Sequence, residues 1–194
     1  MNLHEILSGN WKSSRTEALF PEEPLPQMLI DILPVDYLDA VREFGGREGF
    51  LGTEYLRLHR LDELLSLNTA YGVPTAVPEI VIFGSDGALE AFAFMLEESV
   101  VVKVPFIPLL LENAFIVGSS FSDFISSLHS TGPALEIDPN TLGMQIHCKH
   151  PIALGGSPTD LDNRVNVPPQ KHAELARYWN KVYNHARSQS ENDA

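Results

Sequence analysis

Residues 80–94 read IVIFGSDGALEAFAF, and this stretch decides the fold. A continuous β-branched and aromatic run at 79–83 is followed by GSDG at 84–87 and by a second apolar run at 88–95. Glycine reaches positive φ without steric cost, and Ser and Asp bond to nearby backbone, so the connection predicts a hairpin. The two strands are then adjacent and antiparallel. Outward from them, EYLRLH at 54–59 and SVVVKV at 99–104 predict further strands, with Glu97 and Glu98 turning the last pair. The result is a meander of about four strands.

Helices flank the meander. Over 120–129, Phe121, Phe124, Ile125 and Leu128 fall on one face, Ser120 is a suitable N-cap, and Asp123 stands where a carboxylate reaches back to free N–H groups. Over 34–44, Val35, Leu38, Val41 and Phe44 recur every three residues between Pro34 and the stop at Gly45 and Gly46. A short helix is expected over 3–11, and the proline-rich 20–26 is expected to be a loop. Helix, strands, helix is an α+β order: a small antiparallel sheet covered by helices.

The chain has 194 residues, enough for one full domain and a small appendage. Its formal net charge of −13 opposes phosphate backbones, so direct nucleic-acid binding is not expected. Cys148, the one cysteine, excludes an intrachain disulfide and every Cys-rich zinc motif. The first residues lack a basic region followed by an apolar core, and the longest apolar stretch, 100–111, falls short of the roughly 20 residues a membrane span needs. No membrane association and a cytoplasmic location are the expectation.

Character changes near Pro133. Residues 1–133 carry 7 basic and 19 acidic side chains, a balance of −12, whereas 134–194 carry 6 and 7, a balance of −1. Two units are expected, 1–133 and 134–194, the second a short β-loop-α extension with a strand at 144–147 and a helix over 169–187. That helix is expected to face Leu175, Trp179, Val182 and Ala186 inward.

Three strings in order, VREFGGREGFLG at 41–52, IVIFGSDGALEAFAF at 80–94 and VGSSFSDFISSL at 117–128, resemble the SUKH (Smi/Knr-type) superfamily across roughly residues 30–130. The resemblance implies a non-enzymatic binding domain without a cofactor. Many bacterial members are immunity proteins that bind and block a toxin, and fungal relatives are scaffolds. The implied partner is a protein, a cognate toxin with a basic surface, and acids would steer it. Glu22, Glu23, Glu48, Glu54, Glu90, Glu97 and Glu98 are the candidate partner-binding residues, chosen because loops and strand ends are exposed. GSDG lacks the Lys and following helix of a phosphate loop, and Ser119 and Ser120 read as helix caps.

In the tail, His150, Gly155 and Gly156, Asn163 and His172 resemble the core of the HNH (ββα-metal) nuclease motif over about 40 residues. The resemblance implies His150 as general base, Asn163 as its positioner and His172 as a metal ligand. Lys149 departs from it: the family places an Asp or His ligand there, and an ammonium has no lone pair to give. His147 on a regular strand faces away from His150. No metal and no catalysis are therefore expected, and the tail reads as a degenerate HNH-like element. The alternative is an HNH-type metal-dependent endonuclease with an acidic regulatory domain.

Overall fold

The computed structural model describes residues 2–9, 11–15 and 27–192. The stretch 20–26, with Glu22 and Glu23, lies outside them. The fold is α+β. Seven strands form one antiparallel sheet in chain order: β1 (Trp11–Arg15), β2 (Arg47–Leu51), β3 (Glu54–Leu58), β4 (Ile80–Ser85), β5 (Glu90–Met95), β6 (Val100–Pro105) and β7 (Phe115–Gly118). The hairpin at GSDG is present, with Ile80 opposite Met95 and Ser85 opposite Ala91, and a bulge between Ile82 and Gly84. The sheet is wider than the four strands expected because β1, β2 and β7 are only four or five residues long, and β1 and β2 carry charges within them.

Both faces of the sheet are covered. On one lie α1 (Leu3–Gly9), α2 (Gln27–Ile32), α3 (Val35–Phe44) and α6 (Phe121–His129), around a core that includes Leu7, Tyr37, Phe44, Phe83, Phe94, Phe121 and Phe124. The edge-to-face contacts of Tyr37 with Phe94 and Phe121, at 5.0 and 5.3 Å between centroids, favour one arrangement of the rings. The expected cap is formed: Ser120 Oγ accepts from the Asp123 N–H at 3.1 Å, and Asp123 accepts from the Ser119 N–H at 2.8 Å.

The other face takes α4 (Leu61–Tyr71), α5 (Val73–Ala76), α7 (Pro169–Asn192) and a two-stranded hairpin of β8 (Gln145–Cys148) with β9 (Arg164–Val167). Its core joins Tyr71, Ile80, Ile82, Ala91, Ala93, Val102, Val104 and Phe106 to Ala173 and Ala176 of α7. The alternation of Ala and Phe in β5 is thus the alternation of the two cores. Asn68 of α4 completes the sheet where β3 stops: its side chain accepts from the Ile82 N–H at 2.9 Å and donates to the Ile82 carbonyl at 2.8 Å. A buried backbone pair left open by the short β3–β4 pairing is satisfied in this way.

Beyond Pro133, where the charge balance shifts, the tail contributes Ala173 and Ala176 to the second core. In α7 the buried residues are His172, Ala173 and Ala176, with Leu175, Trp179 and Val182 half-buried, while Ala186 is exposed. The helix also runs past the predicted 187, to Asn192. Among the described residues no helix is long and apolar enough to cross a membrane.

Candidate functional site

The junction between the tail and the sheet gathers most of the buried polar chemistry. Glu48 on β2 and Arg57 on β3 stand opposite one another in register, 1% and 6% exposed. Arg57 Nε donates to Glu48 Oε2 at 2.9 Å, Nη2 bonds to the same oxygen, and Nη2 also donates to the Met144 carbonyl at 2.7 Å. Tyr55 Oη donates to Glu48 Oε2 at 2.9 Å, and the Gly143 N–H donates to Oε1 at 2.5 Å. A buried ion pair between neighbouring strands therefore holds the tail at its first strand. The Ile146 N–H extends the tie, donating to the Gly87 carbonyl at 2.9 Å, as does Gln145 Nε2 to the Ala88 carbonyl at 3.1 Å.

From this anchor the hairpin and α7 place the tail residues singled out in the sequence, His150, Asn163 and His172. Asn163 clamps the His150 peptide from both sides: Oδ1 accepts from the His150 N–H at 2.8 Å, and Nδ2 donates to the His150 carbonyl at 2.9 Å and the Ser157 carbonyl at 3.1 Å. Gly156 closes the turn, and a Cβ there would lie 1.9 Å from the His150 carbonyl oxygen. These bonds hold the His150 backbone and leave its ring without a hydrogen bond to Asn163. His150 itself is exposed, its ring 6.2 Å from that of Trp179.

His172 is brought beside a different histidine. It is 1% exposed, its Nδ1 bonds to the Tyr71 hydroxyl at 2.9 Å, and its ring lies 5.1 Å from that of His147. Burial, with the charges of His147 and Arg57, lowers its pKa to about 3, so the ring is neutral at pH 7. His147 is lowered for the same first reason, burial. The two rings border a cavity of about 280 Å³ that Cys148, Glu90 and Phe106 also line. Burial raises the Cys148 thiol, which is thus held away from its reactive thiolate form. Among the described residues no three His, Cys, Asp or Glu side chains are grouped to hold a metal ion. Lys149 is exposed.

No family model and no curated protein matches this chain.

The acids singled out in the sequence do not share one surface. Glu48 is the clear correction: it was chosen as an exposed strand end, yet it is buried because the neighbouring strand presents Arg57 directly opposite. Glu90 is half-buried, its Oε2 has no hydrogen-bond partner, and burial raises its pKa. Glu54, Glu97 and Glu98 are exposed. Register separates them: Glu54 follows the β2–β3 turn, at the end where β4 turns into β5, whereas Glu97 and Glu98 lie in the β5–β6 turn at the opposite end. Glu79 joins the latter pair, since its carbonyl accepts from the Leu96 N–H at 2.9 Å and its side chain is exposed.

Sequence reading passed over Arg57, His59, Tyr71 and Glu79. A signal existed for the first: once REGFL and EYLRL are taken as a hairpin around Gly52 and Thr53, Glu48 and Arg57 face each other. Tyr71 ends an apolar spacing, Leu61, Leu64, Leu67 and Tyr71, that marks α4, with Asp62 and Glu63 in its first turn and Gly72 at its end with φ 82°.

Proposed function

We infer that this protein is a non-catalytic protein-binding module of SUKH-like type that neutralises a toxin by docking an acidic surface on the toxin's basic face. The observation that carries the reading is the end of the sheet that Glu79, Glu97 and Glu98 share, three exposed carboxylates where β4 begins and β5 turns into β6. Their side chains make no hydrogen bond or ion pair with other described residues, while Arg42, Arg57 and Arg60 each pair with an acid of their own, Asp39, Glu48 and Asp62. The negative potential at this end is left for a partner, and such a field raises association rates with a cationic surface. The tail supports the same reading: His172 is spent on a buried bond to Tyr71, and the hairpin and α7 complete a core.

The Asn163 clamp on His150 gives the endonuclease reading its one specific support. Plasmid DNA incubated with the protein and Mg²⁺ or Zn²⁺ separates the two: cleavage abolished by His150→Ala would overturn the binding-module reading. The direct test of that reading is co-purification with the product of the adjacent reading frame, followed by binding measurements across ionic strength. Affinity is expected to fall with salt, because surface charges are screened over ~8 Å at physiological ionic strength, and to fall further in a Glu79→Gln, Glu97→Gln, Glu98→Gln variant. Salt-independent binding untouched by that variant would refute the acidic docking surface.

A further inference from the structure

A second cavity, of about 730 Å³, opens between β3, the start of α4 and the start of α7. Arg57, His59, Glu63 and Gln170 are among the residues that line it. His59 is 3% exposed, and neither of its ring nitrogens has a partner. Arg57 spends Nε and Nη2 on Glu48 and the Met144 carbonyl, and its Nη1, also buried, has none. A buried polar group without a partner keeps the cost of leaving water and gains nothing in return. Three such nitrogens on residues of one cavity wall are the signature of a place that something polar fills.

What would fill it follows from what is offered. Arg57 Nη1 only donates, and the His59 ring supplies at least one further N–H. The first turn of α7 borders the same space through Pro169 and Gln170. Pro169 has no N–H to give, so the amide offered there is that of Gln170, which has no intrahelical acceptor and stands at the positive end of the helix dipole. The offer is therefore weighted to donors and suits an oxyanion. Glu48 does not oppose it, because its charge is met by Arg57 and its oxygens by Tyr55 and Gly143. Glu63, exposed at the rim, adds a negative charge that penalises a dianion more than a monoanion. We propose that this cavity binds the carboxylate of a small molecule through Arg57 Nη1, His59 and the first turn of α7.

The site is independent of the acidic docking surface, and its test needs no partner protein. The full chain is titrated with acetate, benzoate, glutamate and inorganic phosphate while the His59 ring signals are followed by NMR and affinity by calorimetry. At least one carboxylate is expected to shift the His59 signals saturably, to raise Tm, and to bind at least tenfold more weakly to His59→Phe. Because Arg57 supports the fold, Gln170→Pro replaces it as the second variant: it removes one first-turn N–H where proline is tolerated, and about fivefold weaker binding is expected with Tm unchanged. Absence of any carboxylate-induced shift at 100 mM overturns the proposal. So does carboxylate binding whose calorimetric affinity is unchanged in both variants, and so does binding of phosphate with no carboxylate bound.

Discussion

Replacing Glu48 by Ala should show how strongly the tail is tied to the sheet. The substitution removes the acceptor for Arg57, the Tyr55 hydroxyl and the Gly143 N–H, and it leaves the Arg57 guanidinium, 6% exposed, without a carboxylate to meet its charge. Removing one partner of a buried ion pair costs about 3–5 kcal/mol, because the other charge stays desolvated. Against a total stability of ~5–15 kcal/mol this is a large fraction. For a chain of this length it corresponds to a drop in Tm of roughly 6–20 °C. Urea unfolding followed by circular dichroism measures it, and hydrogen exchange at Gly143, Ile146 and His147 reports whether the tail opens first. The companion variant, Glu48→Leu with Arg57→Met, removes both charges. It is expected to be more stable than either single variant, since apolar replacement of a buried pair is often close to neutral. The reasoning is refuted if Glu48→Ala costs less than about 1 kcal/mol, or if the double variant loses the sum of the two single losses.

Three further outcomes follow from particular residues. His172 has a native pKa near 3 against about 6.5 unfolded, so the unfolded chain binds the extra proton between those values; stability is full above about pH 6.5 and declines toward pH 3, by up to ~1.4 kcal/mol per unit. His172→Phe should flatten that slope in pH-dependent unfolding while costing about 1 kcal/mol at pH 7.5 from the lost Tyr71 bond, and an unchanged slope would count against the buried neutral ring. Gly52→Ala should destabilise by more than about 3 kcal/mol in thermal unfolding, because φ is +64° there and a Cβ would lie 2.3 Å from the Leu128 carbonyl oxygen; a loss under 1 kcal/mol would contradict that contact. Ser99, the described non-glycine residue with positive φ (55°), turns β5 into β6, and Ser99→Gly should stabilise by up to about 1 kcal/mol in the same assay, a loss of stability being the contrary result.

Much of the candidate site was legible because it is local. The Asn163 clamp on the His150 peptide, the close approach at Gly156 and the Ser120 cap all depend on residues near one another in the chain: spacing exposed the cap, and the resemblance to the HNH motif pointed to Asn163 and the Gly155–Gly156 turn. Glu48 was misjudged because whether a carboxylate on a strand meets water or a guanidinium depends on what the neighbouring strand places opposite, and β2 was not recognised. His172 shows the same limit. Its place in the first turn of an amphipathic helix was clear, but its partners, Tyr71 of α4 and His147 of β8, come from elements brought together by the second core.

By itself the sequence determined the meander, the capped helix that covers its aromatic face, the α+β class and the concentration of acid in residues 1–133, because periodicity, turn chemistry and charge count are properties of short stretches. Only the tertiary structure decided that α7 adds Ala173 and Ala176 to the second core, that His172 is packed against Tyr71 and Phe106, and that Glu79, Glu97 and Glu98 share one end of the sheet while Glu54 sits at the other. The physical reason is burial: the apolar strands of the meander carry two faces, one helix layer covers one of them, and the exposed second face is closed by the segment that composition had set apart.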